Sequence, residues 1–124
     1  MNSKEKGDIA LSKAISYFVE TGHEVLLPLG DRRPYDLVIE CSDGILKKIQ
    51  CKFTSCKSRH GNYIVPLRVM GGNRSRNDAV KYQKKDFDII FVYTEAKDVY
   101  VIPFNEIKAS SSFNVNKSLD KWKI

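Results

Sequence analysis

The sequence predicts a single α/β domain in which a mixed sheet carries a helix on at least one face. Three observations lead there. Residues 9–21 repeat apolar groups with the period of a helix. Residues 23–53 hold three short apolar runs separated by turn residues. Further apolar runs over 63–70, 87–94 and 99–103 are divided by basic and polar segments. At 124 residues, 42% hydrophobic and 29% charged, the chain has the composition of one folded domain and no length for a second full one.

In the first element Leu11, Ala14, Ile15 and Phe18 make one apolar stripe, and Gly22 is a natural stop. His23 to Pro28 suits a strand closed by proline, followed by the loop Leu29 to Pro34. Tyr35 to Cys41 reads as a second strand. Ser42-Asp43-Gly44 has the composition of a three-residue hairpin loop with glycine in the left-handed position, and Ile45 to Phe53 returns as a third strand. Pairing Cys41 with Ile45 across that loop sets Asp36 opposite Gln50, with Lys52 two residues along on the same face; Ile49, Cys51 and Phe53 take the other, core-facing side. A loop of two or four residues would reverse this relation.

Tyr63 to Met70 reads as a fourth strand, at an edge or interrupted because of Pro66. Gly71 to Asn77 is a basic loop, and Asn77 or Asp78 is expected to cap a short helix running to Lys85. Phe87 to Thr94 and Val99 to Pro103 are two more strands joined by the turn Glu95 to Asp98. From Ala109 the chain is rich in serine and asparagine, with Phe113, Val115, Leu119 and Trp122 scattered through it. Residues 1–108 are thus expected to form the domain, and 109–124 a C-terminal arm or tail that packs, contacts another subunit or is partly disordered.

The apolar runs, such as Ile89 to Tyr93, are too short to span a bilayer, and Met1 to Asp8 has charge but no leader-like apolar stretch. A cytoplasmic protein with no membrane partner is expected, with Cys41, Cys51 and Cys56 as free thiols in no zinc-like spacing. Of the net charge of +6, the segment from Lys47 to Lys85 carries eleven basic residues and one acid, Asp78. A block of one sign inside a folded domain is either a solvated face or a surface for a polyanion, most commonly a phosphate backbone. Lys57, Arg59, Arg74, Arg76, Lys81 and Lys84 are its candidate nucleic-acid contacts. Tyr63 and Tyr82 either stack on bases or pack in the interior.

Tyr35-Asp36 at a strand start, with Gln50-Cys51-Lys52 in the next strand and a helix opened by Lys6-Gly7-Asp8 before them, resembles the PD-(D/E)XK nuclease superfamily. The segments Lys6 to Ile9, Arg33 to Ile39, Ile49 to Thr54 and Val99 to Ile107 are similar to the small branch that includes a group I intron homing endonuclease. Archaeal Holliday-junction resolvases share the core more distantly. The resemblance implies a restriction-endonuclease-like core with a mixed sheet flanked by helices, and a metal-dependent DNA endonuclease of homing or restriction type. It further implies metal ligands at Asp36, Gln50 and the Cys51 carbonyl, and a Lys52 that orients or deprotonates the attacking water. Two positions depart from the pattern: Gln50 stands where an acid is usual, and Leu11 stands where an acid is expected on the first helix. Asp8, one turn earlier and about 20° from Ile15 on a helical wheel, is the candidate replacement; its plainer reading is a helix cap.

The chemistry of the residues agrees with the implied reaction. Phosphodiester hydrolysis needs charge neutralisation at a non-bridging oxygen and an activated water. Mg²⁺, or Mn²⁺ as a substitute, takes oxygen ligands and keeps several waters, so one or two carboxylates, an amide oxygen and a carbonyl suffice. The expected partners are double-stranded or branched DNA and, because cutting two strands takes two sites, a second copy in a homodimer or higher symmetric oligomer. The alternatives are a junction-selective nuclease and a nucleic-acid-binding module without catalysis.

Overall fold

The computed structural model describes residues 1–70, 79–109 and 111–124, with 68–70 and 79–81 described by their backbone. The first helix, α1 (Ser3–Glu20), begins more than a turn before the apolar stripe. Asn2 caps it: its side chain accepts from the Glu5 N–H at 2.8 Å while the Glu5 carboxylate accepts from the Asn2 N–H, which makes a capping box. The cap reading of Asp8 is therefore overturned, since Asp8 lies inside the helix. Gly22, at φ +87°, turns the chain out of the helix where a side chain would be strained.

Five strands form the main sheet in the order β1 (Glu24–Leu26), β2 (Leu37–Glu40), β3 (Leu46–Thr54), β7 (Ile89–Thr94) and β8 (Val99–Pro103). All neighbours are antiparallel except β3 and β7, so the sheet is mixed. Across the 42–44 turn Leu37 faces Ile49 and Glu40 faces Leu46, the register expected from a three-residue loop, and Gly44 takes φ +84°.

The remaining strands build two ribbons: β4 (Tyr63–Pro66) with β9 (Ser112–Val115), and β5 (Arg68–Met70) with β6 (Ala79–Lys81). Pro66 does interrupt the fourth predicted strand, dividing it into β4 and β5. The helix expected from Asn77 or Asp78 to Lys85 is a correction. Residues 79–81 pair as strand β6 against β5 and a turn follows them, so a partner strand overrides the local helix signal. Positions 77 and 78, and the predicted loop from Gly71, lie outside the described residues.

Two cores lie on the two faces of the sheet. On one, Ala10, Ala14 and Phe18 of α1 pack on Leu37, Ile39, Ile49, Cys51 and Phe91. On the other, Ile90, Val92, Tyr100 and Ile102 meet Val65, Leu67, Phe87, Phe104, Phe113 and Val115. Strand β7 is covered on both faces, which explains its unbroken apolar run. The C-terminal segment contributes Phe113 and Val115 to the second core, with Leu119 and Trp122 packed against it. Among the described residues no helix is long and apolar enough to cross a membrane.

Candidate active site

The site forms where β2 begins. The ladder runs to Leu37 and Ile49, and one residue earlier Asp36 leaves it. The Asp36 N–H donates to the Ile49 carbonyl at 2.8 Å, and its carboxylate, rather than a backbone carbonyl, accepts the Cys51 N–H at 2.8 Å. The expected opposition of Asp36 and Gln50 thus becomes a side-chain bond to the next residue along. A strand residue's N–H and C=O point to the same side, so the Cys51 carbonyl faces the same space. The Gln50 amide donates to that carbonyl at 3.3 Å.

Asp36, Gln50 and Cys51 line a cleft of about 420 Å³ whose opposite wall is α1, at Asp8 and Leu11, and whose rim includes Asp31. Asp8 is exposed at this wall, so the structure brings it to the cleft of Asp36 and Gln50. Among the described residues no group of three histidine, cysteine or acidic side chains is close enough to hold a metal on its own.

Lys52 borders an adjoining depression with Cys51 and Phe53. Its ammonium lies over the ring of Tyr82, 5.0 Å from the centroid. The one ion pair among the described residues is elsewhere, Lys123 with Asp98 at 3.5 Å, so Lys52 and Asp36 influence each other without direct contact.

The electrostatics follow from burial. Desolvation raises the Asp36 carboxyl above its ordinary range; the Cys51 N–H and Lys52 pull it down, and Asp31 pushes it up. Desolvation lowers the Lys52 ammonium, against the pull of Asp36. The Cys51 thiol is pushed well up by burial and by Asp36, so it stays protonated at neutral pH. The Tyr82 phenol is driven far above its usual range by burial and by the carboxylates of Asp36 and Asp86.

A divalent cation fits these donors. One Asp36 oxygen bonds Cys51 and the other has no hydrogen-bond partner among the described residues, while a cation would offset the desolvation of the carboxylate. The Cys51 carbonyl and, after rotation of its amide, Gln50 add neutral oxygen donors of the kind magnesium accepts.

Of the basic candidates, Lys57, Arg59 and Lys84 are exposed. Lys57 rests over the Tyr63 ring at 5.1 Å. Lys81 is described by its backbone in β6, and Arg74 and Arg76 lie outside the described residues. Both tyrosines pack against the second core, each beneath a lysine. Tyr82 and Asp31 as neighbours of Asp36 were missed by sequence reasoning. Each approaches from a separate segment, and no local pattern announces such a contact.

An α/β core with a carboxylate at a strand start and a Gln-x-Lys run in the adjoining strand is the arrangement of a restriction-endonuclease-like nuclease. The chain belongs to the PD-(D/E)XK endonuclease family, whose profile matches residues 1–121. Among solved structures it is similar to a bacterial homing endonuclease, I-Ssp6803I, with 36% identity and a TM-score of 0.80 over 94% of this chain and 80% of that one. No curated protein matches the chain.

Proposed function

We propose that this nuclease is a divalent-metal-dependent DNA endonuclease of homing or restriction type, which uses Mg²⁺ and accepts Mn²⁺. The observation that carries the reading is the convergence of Asp36, Gln50 and the Cys51 carbonyl on one cleft, with a half-buried Lys52 beside it. Asp36, the Cys51 carbonyl and Gln50 hold the cation, and Asp8 supports it from the helix wall. When bound, the cation supplies charge neutralisation and water activation. Lys52 orients the attacking water and takes up its proton more readily from its neutral form, which its partial burial favours. Asp36 and its Cys51 bond fix the end of β2, so the ligands are set before substrate arrives.

Lys57, Arg59, Arg74, Arg76, Lys81 and Lys84 grip the DNA backbone. Two copies of the chain, in a dimer or a higher symmetric assembly, cut the two strands.

The test is cleavage of supercoiled plasmid and of a synthetic four-way junction by the wild type and Lys52→Ala, with Mg²⁺, with Mn²⁺ and with chelator. Metal-dependent products from the wild type alone are expected, and a marked preference for the junction would move the assignment to a structure-selective nuclease. Salt-sensitive binding without cleavage of either substrate, or of a library of randomised duplexes, would replace the enzyme with a binding module.

A further inference from the structure

Lys52 approaches Asp36 without a carboxylate in contact with its ammonium among the described residues, yet a lysine that handles a water must be held in one place. What touches the ammonium is the face of Tyr82, at 5.0 Å from Nζ to the ring centroid. Tyr82 belongs to neither strand of the site. It follows β6 at the foot of the β5–β6 ribbon, where its N–H donates to the Leu67 carbonyl at 3.3 Å.

The ring is braced from behind. It stands edge-on to Phe87, with centroids 4.9 Å apart and an interplanar angle of 78°. Phe87 is 1% exposed and packs in turn on Phe104, at 4.3 Å. The Tyr82 ring is thus held by the second core while a face meets the cation. Aromatic faces attract ammonium groups through the ring quadrupole, and more strongly where water is excluded.

We propose that Tyr82 is a positioning residue for Lys52: its ring, braced on Phe87, holds the ammonium beside the Asp36 cleft by a cation–π contact. The inference rests on the reading of Asp36 and Lys52 as the nuclease site. It gives the residue after β6 a task in the chemistry rather than in packing alone, and it ties the base of a basic ribbon to the group that handles the water.

The first arm of the test is read on the free protein, whatever DNA it cuts. With lysine labelled at ¹³Cε, the Lys52 methylene, assigned by its loss in Lys52→Ala, is expected upfield of the other lysines because of the ring current. That shift should persist in Tyr82→Phe and collapse in Tyr82→Leu and Tyr82→Met, the methionine serving as a flexible apolar filler should leucine fold poorly. The second arm is cleavage under the conditions above. Tyr82→Leu and Tyr82→Met are expected to lose about tenfold in kcat with KM nearly unchanged, beyond any modest fall in melting temperature from lost packing on Phe87, and Tyr82→Phe to recover most of that rate.

A Lys52 signal indifferent to residue 82 overturns the proposal, as does a phenylalanine variant no better than leucine, or a loss that falls on KM or on melting alone. Full cleavage by Lys52→Ala would remove the site reading itself. A dead Lys52→Ala beside fully active Tyr82→Leu and Tyr82→Met would remove only the role of Tyr82.

Discussion

Asp36 is a carboxylate held where its protonated form is favoured, because burial outweighs the help of Cys51 and Lys52. A group whose folded-state value is raised contributes its stability below its ordinary range, near pH ~4, and loses it as pH rises through the raised value. At neutral pH the ionised Asp36 therefore costs folding stability. Asp36→Asn, with its side-chain oxygen still able to accept from Cys51, should melt a few degrees higher than the wild type in chelator, on the order of 2–5 °C, the gap closing toward pH ~4. Adding Mg²⁺ should raise the wild-type melting temperature and leave that of Asp36→Asn in place. Equal melting at pH 7 in chelator would show that the carboxylate is not penalised. Gln50 allows the converse change. Gln50→Glu adds a carboxylate to the cleft of Asp36, Asp8 and Asp31, and the Mg²⁺ concentration for half-maximal cleavage should fall severalfold; an unchanged midpoint in a metal titration would remove Gln50 from the ligand set. These residues were legible because Ser42-Asp43-Gly44 sets the register of a hairpin, and register sets which side chains meet. The position of Tyr82 was not, since the fold beyond residue 60 brings it there.

At the scale of elements, local chemistry predicted well wherever one segment decides its own shape. The capping box at Asn2 and Glu5 was nevertheless overlooked, because the apolar stripe starts later than the helix does. Asn2→Ala should cost about 1 kcal/mol and lower the melting temperature by about 3 °C with cleavage little changed, which a thermal melt beside an activity assay would check. A larger loss of activity than of stability would mean that the first two turns of α1, which carry Lys4, Gly7 and Asp8 along the cleft, are themselves sensitive to fraying. The opposite case is β6. Asn77 and Asp78 look like a cap, but the backbone at 79–81 has β5 to pair with, and a pairing partner nine or more residues away is invisible to a reading of local period.

For the whole molecule, the C-terminal segment and the charge distribution matter most. Phe113 and Val115 are buried in the second core, and β9 is the only strand paired with β4 among the described residues. Removing 110–124 strips those two side chains from the core and uncovers Val65, at about 2 kcal/mol for each large apolar group against a total stability of roughly 5–15 kcal/mol. The truncated chain should lose its cooperative thermal transition, and a truncation that melted like the full chain would show that the segment is an appendage. Charge acts over longer distances. Ten of the chain's positive charges in excess lie between Lys47 and Lys85, while the rest of the chain is net negative. Binding to duplex DNA in Ca²⁺ or chelator should therefore weaken steeply as salt rises, since each phosphate neutralised releases condensed counterion. Lys57 and Arg59 are both exposed on the loop after β3, within reach of the end of the strand that carries Lys52. Replacing both with alanine should flatten the slope of log Kd against log salt by about 2 while weakening all duplex sequences alike, because phosphate contacts carry no base information. A slope that stays put would move the DNA to another face of the molecule, and a loss confined to one sequence would make these two residues readers of bases rather than holders of the backbone.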